Sequence, residues 1–267
     1  MSGFEQGGEK ESRRENWETF WQEKEDVGQV YSNEDRILRN LLRLGPLKGK
    51  RILEIGAGTG RDSFPLIHHG ANVIQLDYAE NSLRILRNLA GELNLPATII
   101  GGDTFRLPFR DESFDVVFHQ GLLEHFHAPQ AEALLRENIR VLRTGGLLLV
   151  DVPQRYHLYT VAKHIMMALG SWFAGWERSF SVGELRSQLS RLGLVPVLSY
   201  GEWMYPSFLY RSTREALKKV GLTLPLNPRP IKTLSAIRGN VRSAMHGTSL
   251  PLYTGISIGV VGQKLRS

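Results

Sequence analysis

"LEIGAGTGRDS" (Leu53–Ser63) joins an apolar run to a stretch with helical spacing through a turn that holds Gly56, Gly58 and Gly60. Glycines at such a junction let a ligand come close to the backbone, with N–H groups pointing outward at the start of a helix. Two phosphate-binding readings fail on spacing. A dinucleotide fingerprint needs its third glycine where Arg61 stands, and neither a Lys-Ser nor a Lys-Thr pair follows to make a P-loop. The loop is built for close approach and lacks a device for holding a triphosphate.

Around this turn, apolar runs alternate with helical patterns. "RILEI" (51–55), "NVIQLD" (72–77), "ATIIGGD" (97–103), "FDVVFHQ" (114–120), "GGLLLVDVP" (145–153) and "VPVLSY" (195–200) read as strands. Between them the spacing predicts helices over Asp62–His69, Asn81–Leu93 with Asn81 or Ser82 as its cap, Pro129–Leu142 and Val182–Leu192. Nearly continuous apolar strands separated by helices indicate a parallel sheet covered on both faces, a doubly wound α/β fold. A last run, "YTGISIGVVG" (253–262), suits an added antiparallel edge strand. Residues 9–44 carry apolar positions at three- and four-residue spacing and break near Val27–Asn33 into two helices. The expected organisation is a helical lid over 1–45, a core over 46–200, a basic insertion over 201–251 and a final strand and tail over 252–267.

Acids stand at two strand ends. Asp77 closes the second strand, where a carboxylate can accept from ribose hydroxyls, and Asp103 follows the third, placed to accept from an exocyclic amine. With the glycine turn they describe an adenosine pocket, and Glu54 within the first strand points to the same crevice.

The segments "LEIGAGTG", "VIQLDYAENSL" (73–83), "GGDTFRLPFRDESFDVVF" (101–118) and "TGGLLLVDVP" (144–153) come in an order and spacing that resemble the class I S-adenosylmethionine-dependent methyltransferases. The resemblance runs from Leu53 to Pro153 and more weakly to Tyr200. It implies a seven-stranded, mostly parallel sheet and S-adenosylmethionine as cofactor. Glu54, Gly56, Ala57 and Gly58 would line the methionine side, with Gly60 in the same turn. Asp77 would hold the ribose, Tyr78 would pack on adenine, and Asp103 with Thr104 would face its edge.

After the fourth strand, "HQGLLEHF" (119–126) would lie beside the transferable methyl, so His119 and Gln120 are expected to touch the cofactor, through backbone at least. Glu124 and His125 are candidates for removing a proton from the acceptor; an ordinary packed loop is the plainer reading. Some O-methyltransferases that the chain resembles carry Glu-x-x-Glu-His here and bind a divalent ion. Gly121 stands where their first glutamate would be, so no metal is expected.

The composition bounds these readings. An apolar fraction of 42% and a charged fraction of 22% over 267 residues suit a globular chain, and the absence of cysteine excludes disulfides and thiolate chemistry. The start, "MSGFEQGGEKESRREN", has no apolar h-region, which argues against a secretory signal and for a cytoplasmic protein. The net charge of +6 is concentrated between Tyr205 and Leu250, in Arg211, Arg214, Lys218, Lys219, Arg229, Lys232, Arg238 and Arg242 against Glu215 alone. Such a segment suits nucleic acid, anionic lipid, an acidic substrate or plain solvation. No aromatics interleave with it, and no Asn-Pro-Pro-Tyr-like motif follows the fourth strand, which weighs against nucleic acid.

Trp17, Trp21 and Tyr31, with the stretch "RYHLYTVAKHIMMALGSWFAGWERSF" (155–180) and its His157, His164, Glu177 and Arg178, could wall an apolar acceptor pocket, pack the lid, or rest on a membrane surface. The expected activity is methyl transfer to a small, hydrophobic acceptor, of which a lipid-like molecule is one form, with peripheral membrane contact. The alternatives are a nucleic-acid or protein methyltransferase using the 205–250 segment, and a cofactor-binding protein without turnover. The oligomeric state is not written in these patterns.

Overall fold

Seven strands form one mixed sheet in the order β3-β2-β1-β4-β5-β7-β6. They are β1 (Arg51–Ile55), β2 (Asn72–Asp77), β3 (Thr98–Gly101), β4 (Phe114–Gln120), β5 (Leu142–Pro153), β6 (Leu194–Glu202) and β7 (Ser257–Lys264). Helix α3 (Phe64–His68) connects β1 to β2, and α5 (Ala128–Val141) connects β4 to β5. A computed structural model describes residues 14–22, 35–172, 174–203, 206–225, 239–241, 244–245 and 248–265. Tyr31, Phe173, Arg229, Lys232, Arg238 and Arg242 lie outside the described residues.

The first five strands pair in parallel. The chain leaves the edge at β3 and returns beside β1 as β4, which opens a crevice at the carboxyl ends of β1 and β4. Strand alternation divides the core between the two faces. Phe118 joins Ile52, Leu66 and Leu86 on one, while Val117 joins Leu53, Leu135 and Leu185 on the other. The glycine turn, Asp77 and "HQGLLEHF" therefore meet at one edge of the sheet.

Several element ends depart from the sequence reading. The last strand begins at Ser257, because Leu250–Thr254 is helical, and β7 lies between β5 and β6 rather than at the edge. Its first six residues are all buried, so both of its sides need partners. The helix α4 (Glu80–Glu92) starts one residue earlier than expected, with Ala79 as its N-cap and no cap from Asn81 or Ser82. The cap comes from α1 (Arg14–Gln22). Glu18 Oε1 accepts from the Glu80 N–H at 2.8 Å, and Oε2 accepts from the Asn81 N–H at 3.1 Å. The Asn81 amide in turn donates to the Glu18 carbonyl at 3.1 Å.

The helix α2 (Arg36–Leu42) buries Ile37, Leu38 and Leu41, and it also carries a charged latch. Arg36 Nη1 donates to Ser257 Oγ at 2.6 Å and lies 3.3 Å from Asp151 Oδ1, both groups almost fully buried. The Tyr200 hydroxyl donates to Asp151 Oδ2 at 2.9 Å, and Arg39 Nη2 reaches Glu202 Oε1 at 2.8 Å. One short helix is thereby tied to β5, β6 and β7. Arg36→Ala should leave the Asp151 carboxylate without its cation and lower the unfolding free energy by about 3–5 kcal/mol in urea melts. Arg36→Met combined with Asp151→Asn, which removes both charges, should recover most of that loss.

Candidate active site

Backbone geometry first fixes the shape of the crevice. Gly56 and Ala57 donate to the Leu76 carbonyl at 2.8 and 3.1 Å, so the glycine turn folds back onto the end of β2. Asp77 Oδ2 accepts from the Gly58 N–H at 2.8 Å, and Oδ1 accepts from the Ala79 N–H at 2.9 Å. The Ser82 hydroxyl holds the Gly58 carbonyl at 2.8 Å. Gly58 has φ +56°, and a Cβ there would lie 2.9 Å from the Trp21 ring. Only glycine fits both constraints.

The resulting cavity measures about 690 Å³. Glu54, Gly56, Ala57, Gly58, Asp77, Tyr78, Asp103, Thr104, Gln120 and His125 all line it, as do Trp17 and Trp21 from α1. Gly60, His119 and Glu124 are not among the lining residues. Gly60 serves packing instead, since a Cβ would meet the Gln75 amide at 2.4 Å and Leu86 at 2.7 Å. His119 follows Val117 to the other face of β4 and is fully buried, and burial pulls its pKa down to about 3. Its ring is neutral and sealed in the core. His157 accepts from the Tyr159 N–H as the cap of α6 (Leu158–Ala168), and neither it nor His164 reaches the cavity.

Three carboxylates crowd the floor. Glu54, Asp62 and Asp77 are each at most 8% exposed. Burial, reinforced by Asp62, pushes Glu54 well above the ordinary carboxylate range. Burial raises Asp77 too, against the hydrogen bonds from Ala79 and Gly58. Glu54 Oε2, Thr104 Oγ1 and Gln120 Oε1 are buried without a hydrogen-bond partner. A cavity with crowded acids at its floor, orphaned polar atoms on its walls and a glycine cradle at its side fits a cationic ligand with a polar, hydroxylated body. S-adenosylmethionine has that character.

The wall after β4 separates the two titratable candidates. Glu124 sits in a single turn (Leu123–His125) and is buried away from the cavity; burial and then Glu177 push its pKa up to about 8. It holds its proton at neutral pH and cannot accept another. His125 lines the cavity, and burial lowers its pKa, so its ring is neutral and able to accept. Trp17 packs edge-on against it at 4.9 Å. Its Nδ1 lies 3.8 Å from Glu177 Oε1, in the segment between β5 and α7 (Val182–Arg191). Among the described residues, no group of three or more His, Asp or Glu is placed to hold a metal ion. Sequence reasoning missed Glu18 and Lys163, which belong to no local motif, and Asp62, which stands within the glycine stretch but was given no role.

Residues 52–146 match the family model described as a methyltransferase domain. The ubiquinone biosynthesis O-methyltransferase of Roseobacter denitrificans is 29% identical over 164 residues, covering 60% of this chain and 65% of that protein. The demethylmenaquinone methyltransferase of Renibacterium salmoninarum is 34% identical over 107 residues, 40% of this chain and 43% of that protein. The chain thus matches less than two thirds of the length of either relative. The fold is shared with the 1,6-didemethyltoxoflavin-N1-methyltransferase of Burkholderia thailandensis, solved with that compound and S-adenosylhomocysteine bound. The TM-score is 0.61 at 17% identity, over 95% of this chain and 87% of that one.

Gly58→Ala tests the cradle. A side chain at this φ costs about 1–2 kcal/mol and also collides with Trp21, so S-adenosylmethionine affinity measured by calorimetry should fall about tenfold or more. The circular dichroism of the fold should stay unchanged.

Proposed function

We propose, for a chain whose residues 52–146 are a class I S-adenosylmethionine-dependent methyltransferase domain, that it methylates a hydroxyl of a small, apolar, ring-bearing acceptor in the cytoplasm. The observation that carries this reading is His125, a neutral imidazole in the cavity wall between Trp17 and Phe126. The names of the quinone-pathway relatives support an acceptor of that kind.

S-adenosylmethionine, when bound, supplies an electrophilic methyl on a sulfonium. The protein's residues divide the remaining work. Glu54 and the acids beside it attract the cation, and Asp77, whose oxygens keep spare lone pairs, accepts from the ribose hydroxyls. Tyr78 packs on the adenine, while Asp103 and Thr104 meet its edge. Trp17, Leu122 and Phe126 exclude water and hold the acceptor ring for in-line attack. His125 takes the hydroxyl proton as the new O–C bond forms and the S–C bond breaks, with its electron pair staying on sulfur.

His125→Ala should lower kcat about 10²–10⁴-fold with short-chain catechol and hydroquinone acceptors, followed by transfer of labelled methyl, while cofactor affinity holds. Glu124→Gln, isosteric with the protonated acid, should stay close to wild type. Full activity of His125→Ala, or no transfer by wild type to either acceptor class, overturns the reading.

The surface supports delivery of such an acceptor from a membrane. Among the described residues no helix is long and apolar enough to cross a bilayer. Yet α6 and its C-cap present Leu158, Val161, Ile165 and Leu169 to solvent, 72%, 55%, 56% and 75% exposed, at helical spacing. An outward apolar stripe on a chain of net charge +6 suits the surface of an anionic bilayer. The protein should float with phosphatidylglycerol vesicles and less with phosphatidylcholine ones, and Leu158→Asp with Ile165→Asp should abolish flotation.

A further inference from the structure

The helix α6 has its polarity reversed. Its outer face is apolar, while Lys163 points inward and is 1% exposed. A lysine near a surface ordinarily carries its ammonium out to water. Here Nζ donates to Glu177 Oε2 at 2.8 Å, and Trp172 Nε1 donates to Glu177 Oε1 at 2.9 Å. That second oxygen also lies 3.8 Å from His125 Nδ1. Buried ion pairs repay their desolvation poorly, so stability alone does not account for placing one behind a cavity wall.

We propose that Glu177, fixed by Lys163 and Trp172, is the positioning residue for His125: it sets the imidazole toward the cavity and stabilises the imidazolium formed when the acceptor loses its proton. This rests on the reading of His125 as proton acceptor. A separation of 3.8 Å is too long for a hydrogen bond, and the contact shortens as the ring gains charge.

The groups facing His125 account for its resting state. Glu177 and Lys163 come from the segment after β5, Glu124 adjoins it in chain, the Gly121 backbone hydrogen-bonds the ring and favours its charged form, and Trp17 covers it from α1. Burial outweighs the pull of Glu177 and keeps the free ring neutral, with Lys163 acting in the same direction as burial. Against burial, the Lys163 ammonium and the Trp172 N–H hold Glu177 below the usual carboxylate range. Glu124 keeps its own proton. The surroundings of His125 are therefore one ammonium and one carboxylate, balanced before reaction. During transfer the imidazole would gain a positive charge from the acceptor proton as the charge of the bound donor is lost, so the cavity would see no net change. Glu177 is the partner waiting for it, and the proton leaves to solvent after product release.

Glu177→Gln should lower kcat by roughly 10–100-fold with acceptor KM and cofactor affinity nearly unchanged. The His125 pKa, followed by NMR through the imidazole carbon-bound protons, should fall by about one unit, moving the acid limb of the kcat/KM profile with it. Lys163→Met combined with Glu177→Gln removes both charges and guards against misfolding from a lone buried ammonium. It should show the same loss of kcat with a smaller fall in the His125 pKa, because Lys163 opposes Glu177 there. A His125 pKa and acid limb equal to wild type in Glu177→Gln, or a wild-type kcat in the double variant, with His125→Ala inactive, overturns the role of Glu177 alone. Full activity of His125→Ala removes the proton-acceptor reading on which it rests.

Discussion

The carboxylate of Asp77 organises the crevice. One oxygen holds the Gly58 N–H and the other the Ala79 N–H, so a single side chain ties the glycine turn to the start of α4. Charge-assisted bonds of this kind are shorter and stronger than neutral ones, and here they are almost wholly screened from water. Everything on that side of the cavity follows. With the Gly58 carbonyl taken by Ser82, the turn has one conformation, and its flat surface accepts the Trp21 ring. The exposed N–H groups at the start of α4 are then free to bind Glu18, which brings α1 over the cavity and Trp17 onto His125. The cofactor side and the acceptor side are thus assembled through one chain of contacts.

The same floor makes the protein less stable than its packing alone would allow. Glu54 binds a proton more tightly folded than unfolded, so its contribution to stability is complete below the ordinary carboxylate range and is lost as pH rises toward its raised pKa. Glu124 behaves alike, with its loss falling between the ordinary range and about pH 8. A cation bound in the cavity lowers the Glu54 pKa, so ligand binding and deprotonation are linked. Crowded acids that weaken the empty fold are what a positively charged ligand needs, a common relation between site and stability.

Much of this was legible in the residues, and the boundary is physical. "LEIGAGTG", Asp77 and Asp103 stand at successive strand ends of a regular alternation, so their spacing carries the fold and the cavity wall. Glu18 cannot be read that way, because it caps a helix that starts more than sixty residues later and has no pattern of its own. The position of β7 was hidden for a related reason. An apolar run records burial but not which strands flank it, and only the pairing with β5 and β6 places it inside the sheet. His119 shows the converse. It stands beside Gln120 in a polar stretch, yet strand alternation turns it into the core.

The reversed polarity of α6 joins chemistry to delivery. In an ordinary surface helix the apolar face packs inward and the lysine faces water. Exchanging them leaves Leu158, Val161, Ile165 and Leu169 seeking an apolar medium and leaves Lys163 seeking a carboxylate. Either exchange alone would be a cost without return. Together they would let an eleven-residue helix rest its outer face on lipid, as proposed, while its inner face supplies the counter-charge for Glu177. On the proposed membrane reading, the helix that meets the bilayer is also the one whose Lys163 holds Glu177 beside His125. The exposed leucines and the buried lysine are two faces of one arrangement.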